Sequence, residues 1–206
     1  MGSHTDCTDW DYETHPKIKQ LRARCDRLTA WVAKRPTRFA RYGFDTRAGH
    51  RLMFAPFAPP ACTCFAGTFR GSSSCPHLVN YGVGVHGTKV GAPPNHVAAQ
   101  MAIFDSRCKL LFSTCAQSAA SIDPAEAFVK LVDILCDLLE SFFTIHPYAN
   151  GNGHTGRLLV WVLLARHGFA PQKWSIDAKQ PYGKALNAYR AGKPRELQLW
   201  LLRLAR

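Results

Sequence analysis

Seven residues between positions 146 and 157 have the types and spacing to work on a phosphate: His146, Asn150, Gly151, Asn152, Gly153, His154 and Arg157. They sit in the run His146-Pro147-Tyr148-Ala149-Asn150-Gly151-Asn152-Gly153-His154-Thr155-Gly156-Arg157. Pro147 disfavours helical backbone at His146, so an imidazole is expected at a helix terminus, facing a cleft. The Asn-Gly-Asn-Gly stretch favours left-handed or otherwise unusual backbone angles, which lets successive amides converge on an anion. Arg157 falls about one turn into the helix that follows. A cation there opposes the helix dipole, and a bound anion accounts for it better than helix stability does. The loop therefore looks built for a phosphate with a histidine beside it.

Two apolar runs must position this loop. Upstream, Asp123 caps a helix, Pro124 takes its first position and Glu126 can complete a capping box. Phe128, Leu131, Val132, Leu135, Leu138, Leu139 and Phe142 line that helix as far as Ile145. Downstream, His154 to His167 reads as a second helix closed by Gly168. Leu158 to Leu164 make it apolar all round, so it should be central and buried. A pair of buried helices fixes the loop between them.

At these residues the chain resembles the Fic/Doc family, whose signature is His-Pro-Phe-x-Asp/Glu-Gly-Asn-Gly-Arg-x-x-Arg. His146, Pro147, Gly151, Asn152, Gly153 and Arg157 are in register, and Tyr148 takes the place of phenylalanine. Asn150 replaces the acidic residue and His154 the first arginine. A weaker likeness runs from Phe65 to the C-terminus. It takes in Phe65-Ala66-Gly67-Thr68-Phe69-Arg70, the Val/Tyr/Gly segment, Pro93-Pro94 and Tyr182 to Leu202.

The resemblance implies a mainly α protein of the Fic fold: a helical bundle with a central helix-loop-helix and a small β-hairpin flap. It implies transfer of part of a nucleotide, usually AMP from ATP, onto a Ser, Thr or Tyr hydroxyl of a target protein. His146 would be the general base. Gly151, Asn152 and Gly153 would cradle the diphosphate, with Asn150 and His154 beside it, Arg157 would grip a terminal phosphate, and Tyr148 would anchor the loop. The target would dock by strand addition on a flap near residues 78–90. There Val79, Tyr81, Val83 and Val85 share one side of an extended segment, and His86-Gly87 can form a turn.

The two departures bear on the donor. Asn150 offers a carbonyl oxygen but no charge where the family places a Mg²⁺ carboxylate, so no metal ligand is assigned and Mg²⁺ would be weakly held. His154 cannot make a bidentate phosphate contact. Three readings follow: an AMP transferase, an enzyme using another nucleotide donor, or a non-catalytic binding module of the same fold. None of Glu13, Glu126, Glu140 and Glu196 fits the family's inhibitory Ser/Thr-x-x-x-Glu-Gly/Asn motif, which leaves regulation to a separate inhibitory partner or to none.

The rest of the chain is expected to form a single domain over residues 17–206, with a core from about 65. Met1-Gly2-Ser3-His4 reads as a tag remnant, and residues 1–16 as a loose start. Ile18, Leu21, Cys25, Leu28 and Val32 mark an amphipathic helix over about 17–33. Residues 36–64, rich in proline, glycine and aromatics, read as a packed loop. Asn95 is a plausible cap for a helix to about Phe112, with Val97, Met101, Phe104, Cys108 and Leu111 as its inner stripe. Tyr182–Tyr189 and Arg195–Leu204 read as two further helices.

No apolar run is long enough for a membrane span. The expected location is the cytoplasm, or a host cell if the protein is a delivered effector. Net charge is +12, and eleven of the 26 Lys and Arg lie between Lys17 and Arg51, against Asp26 and Asp45. That balance suits a nucleic acid, an anionic membrane or an acidic partner, or simply a solvated basic face. Of eight cysteines, Cys25, Cys108 and Cys136 fall on apolar helix faces and read as buried thiols. Cys62, Cys64, Cys75 and His77 form the one cluster of metal-ligand types. Their spacing is tighter than the usual zinc pattern, and a disulfide is the alternative.

Overall fold

The computed structural model describes residues 7, 10–35, 45–85, 88–118, 123–169 and 182–204. It is mainly helical, as expected for a Fic fold. Helix α1 spans Lys19–Lys34 and buries Leu21, Cys25, Leu28 and Val32, the face marked by the heptad-like spacing. Helix α2 spans Thr46–Phe54, and 3-10 turns follow at Ala55–Phe57 and Pro60–Phe65. Residues 45–64 are therefore helical where a loop was expected, and 36–44 lie outside the described residues. Asp45 caps α2 by accepting from the Arg47 amide. The helix turns Thr46, His50, Met53 and Phe54 inward, a face whose two polar members hid its periodicity.

A third 3-10 turn covers Pro76–Leu78, and the hairpin comprises β1, Val83–Val85, and β2, Thr88–Val90. The strands are antiparallel, with Val83 opposite Val90 and Val85 opposite Thr88. The extended segment thus begins at Val83 rather than Leu78, because the residues before it close turns (Tyr81 N–H to Leu78 O, 3.2 Å). The expected His86-Gly87 turn lies outside the described residues.

Helix α3 spans Pro94–Ser118. It starts before Asn95, so that residue lies in the first turn, and it runs past Phe112. Val97, Met101, Phe104 and Cys108 are buried as its spacing required. Helix α4 spans Pro124–Ile145; Asp123 accepts from the Ala125 amide at 3.0 Å, and Glu126 pairs with Lys130. Helix α5 spans Asn152–Arg166, and every residue from His154 to Ala165 is buried. It is the central element, with α1, α2 and α4 all packed on it. Helices α6, Tyr182–Arg190, and α7, Arg195–Leu204, pair with each other, and α7 also lies on α4. No helix among the described residues is long and apolar enough to cross a membrane.

The N-terminal segment corrects an expectation. Of residues 1–16, Cys7, Trp10 and Tyr12 are buried in the core. Trp10 packs edge-on to Phe54 and His50, and its indole donates to the Phe57 carbonyl at 2.9 Å. Cys7 is disulfide-bonded to Cys62, and Cys64 to Cys75. Of the four residues with metal-ligand side chains, Cys62, Cys64 and Cys75 are therefore in disulfides, the alternative the sequence left open, and His77 is in neither pair. Cys25, Cys108 and Cys136 are buried free thiols, as read from the sequence.

Candidate active site

His146 ends α4 with φ 51° and ψ 61°, the one non-glycine left-handed residue among those described. Pro147 forbids the helical alternative, and the left-handed turn redirects the chain. Such geometry costs about 1–2 kcal/mol, so the surroundings must hold it. Arg70 does. Its side chain is 1% exposed, and its guanidinium donates to four main-chain carbonyls: His146 at 2.9 Å, Ile145 at 3.2 Å, Ala92 at 3.0 Å and Tyr81 at 3.0 Å. Ala92 and Tyr81 flank the hairpin, so one side chain ties the flap to the end of α4. Gly91 lies so close that a Cβ on it would stand 2.7 Å from the His146 Cβ.

Burial pushes the His146 pKa down to about 4, and the nearby Arg70 and Arg190 cations act the same way, against a hydrogen bond to the Phe143 backbone. The ring is therefore neutral at pH 7 and able to accept a proton.

The loop is braced from within. Asn152 accepts from the Tyr148 amide at 3.0 Å and donates to the Tyr148 carbonyl at 2.8 Å. Its side chain is thus spent on the loop, leaving its backbone amide at the helix start. Gly151 is left-handed, φ 77°, and a Cβ there would meet the Phe54 ring at 2.5 Å. The Tyr148 hydroxyl is 2.7 Å from Thr46 Oγ1.

His50, which nothing in the sequence singled out, stacks on the Tyr148 ring with 3.9 Å between centroids. Its Nδ1 accepts from the Gly67 amide and its Nε2 donates to the Asn150 carbonyl, both at 2.9 Å. Those partners require the neutral ring, and burial pushes its pKa down to about 3.

All seven residues picked from the sequence line one cavity of about 530 Å³. Its lining includes the first residues of α5, whose amides have no partner within the helix and carry the positive end of its dipole. Arg157, 5% exposed, lies one turn in. Tyr12, Glu13 and Ile18 from the N-terminal segment form the facing wall. A larger cavity of about 840 Å³ lies beside α2, lined by Arg47, Arg51 and Ser72 to Ser74. Among the described residues no imidazole lines it, and the helix start it includes, that of α2, is already capped by the Asp45 carboxylate.

The two positions that depart from the motif are both engaged by the N-terminal segment. Asn150 donates to the Trp10 carbonyl at 2.9 Å while its own side-chain oxygen accepts from the Gly151 amide. His154 Nδ1 is 3.0 Å from the Tyr12 hydroxyl, and its ring lies edge-on to Tyr12 and Phe54. The Asn150 oxygen thus has one of its two acceptor sites in use, and Glu13 is the one carboxylate among the described residues that line the cavity. These donors do not fit a dedicated Mg²⁺ site, which calls for several oxygens in octahedral array.

The mainly helical architecture, with a central helix-loop-helix, a histidine at its bend and a small hairpin beside it, is that of the Fic fold. A model of the Fic/DOC family matches residues 50–164, just over half of the chain, and the chain belongs to that family. The match begins before Phe65, at His50, and ends within α5. A comparison with curated proteins finds no match.

Proposed function

We propose that this protein is a Fic-type transferase that moves a nucleotide-derived group, AMP from ATP in the simplest case, onto a hydroxyl of a target protein or of itself. What carries the reading is the placement of His146, neutral and left-handed at the end of α4, on the same cavity as the α5 amide terminus and Arg157. His146 takes the proton of a Ser, Thr or Tyr hydroxyl, whose oxygen then attacks the α-phosphorus. The bond to the leaving phosphates breaks, and pyrophosphate departs when the donor is ATP. The amides of Asn152 and Gly153 face the phosphate charge, with the cation of Arg157 nearby. Mg²⁺, where present, would be held mainly by the donor's own phosphates. The target peptide adds as a strand to the β1–β2 hairpin, which Arg70 keeps in register with His146.

A specific observation favours a second reading, a donor other than ATP. Asn150 and His154 are both bonded to the N-terminal segment, which takes two of the motif's side chains away from a phosphate tail. A separate inhibitory chain, and an acidic partner on the basic α1 face, are further proposals. One experiment separates the readings. Intact-mass spectrometry after incubation with a panel of nucleotides and nucleoside diphosphate derivatives should show an added mass that identifies the group transferred. It should vanish in His146→Ala. If no donor adds mass to the protein or to an offered lysate, and the nucleotides only bind, the chain is a binding module.

A further inference from the structure

Cys7, Cys62 and His77 come together where the N-terminal segment is fastened to the core. Their ligand atoms all lie within 4.8 Å of one another; both sulfurs are buried, and His77 is exposed on the Pro76–Leu78 turn. The sulfurs are joined as a disulfide. In a reducing compartment, where disulfides are rare, this bond is open. In that state Cys7 and Cys62 are two thiols beside an imidazole.

We propose that the reduced chain binds one Zn²⁺ through Cys7, Cys62 and His77, and that this ion fastens the N-terminal segment over the phosphate cavity as the disulfide does. Reduction by a dithiol breaks the Cys7–Cys62 bond, adds two electrons and two protons, and releases the reductant as its own disulfide. Zinc then displaces both thiol protons to water. Tetrahedral zinc with bonds of about 2.3 Å to sulfur and 2.0–2.1 Å to nitrogen sets its ligand atoms within about 3.8 Å of each other, so small side-chain adjustments suffice. Two thiolates and an imidazole select zinc over Mg²⁺ or Ca²⁺. What is fastened matters to the site: Trp10 and Tyr12, shortly after Cys7, hold Asn150 and His154.

The test begins with protein reduced by a phosphine, which leaves no competing thiol, then loaded with Zn²⁺ and desalted. Elemental analysis should find one zinc per chain, and Co²⁺ in its place should give a thiolate-to-cobalt charge-transfer band. Cys7→Ser and Cys62→Ser should lose the ion, and His77→Ala should weaken it at least tenfold. The Cys64→Ser/Cys75→Ser double variant should keep it. His77 is exposed, so its variant tests the site even if the cysteine variants fold poorly. Reduced protein that retains no zinc, zinc held undiminished by His77→Ala, or zinc that depends on Cys64 and Cys75 would each overturn the assignment. Amide exchange across residues 10–18 should be slow in the zinc and disulfide forms and at least tenfold faster in the reduced, metal-free form. Equal exchange in all three would refute the fastening role. None of these readouts uses transferase activity.

Discussion

The guanidinium of Arg70 donates from Nε to the main-chain carbonyl of His146 at 2.9 Å, across 76 residues of sequence. The same group reaches Ile145, Ala92 and Tyr81, so His146 and both ends of the hairpin share one anchor. Its four acceptors are all backbone carbonyls, which a lysine ammonium with three donors cannot span. Arg70→Met should destabilise the fold by about 3 kcal/mol, the scale for leaving buried polar groups unpaired. Arg70→Lys should recover only part of that loss. Urea unfolding checks both; a loss under about 0.5 kcal/mol for Arg70→Met would mean the carbonyls find other partners.

His146→Ala should reduce transfer by about 10²–10⁴-fold, the usual contribution of a general base. His146→Gly should be equally inactive yet as stable as the parent or slightly more so, because glycine accepts φ 51° without a Cβ penalty. Thermal melts paired with the mass assay separate the two effects. An active His146→Gly protein would remove this residue from the mechanism.

The pH profile of transfer should follow the depressed pKa of His146. The base is neutral above about 4, so the acid limb of the rate should fall near that value and the rate should be flat from pH 6 to 8. A limb near pH 6.5 would place an ordinary, solvated imidazole at the site.

Stability should decline with acid for a related reason. His50 and His146 have folded pKa values of about 3 and about 4, and that of His167 is lowered by burial. An unfolded histidine titrates near 6.5. The unfolded chain therefore binds more protons below pH 6.5, and the folded state loses about 1.4 kcal/mol per pH unit for each such ring down to its folded pKa. Urea midpoints between pH 7 and 4 should fall accordingly. His50→Gln should lessen the slope, measured relative to its own stability at pH 7.

Gly151→Ala should destabilise by at least 2 kcal/mol and disorder the loop. It combines a left-handed φ of 77° with a Cβ placed 2.5 Å from the Phe54 ring. Adding Phe54→Leu should relieve the clash but not the backbone strain. Full recovery in the double variant would show that contact, not conformation, requires glycine here.

The helix-loop-helix was legible because its signals are local. Asp123-Pro124 opens α4, Pro147 stops it, glycines and asparagines shape the turn, and an unbroken apolar run makes α5 central; each acts over a few residues. The family motif and the seven cavity residues came with that pattern. The brace around them did not. His50 meets Asn150 across 100 residues, Trp10 meets Asn150 across 140, and Tyr12 meets His154 across 142. None of those partners is fixed by periodicity or propensity, and a polar residue on an inward face weakens the very signal that would reveal its helix. The sequence alone determined that a glycine- and asparagine-rich loop would sit between two buried helices, beside a histidine. Only the tertiary structure decided that the N-terminal segment would wall the cavity and that Arg70 would tie His146 to the hairpin. Those contacts depend on which distant backbone groups folding leaves in need of a hydrogen-bond partner.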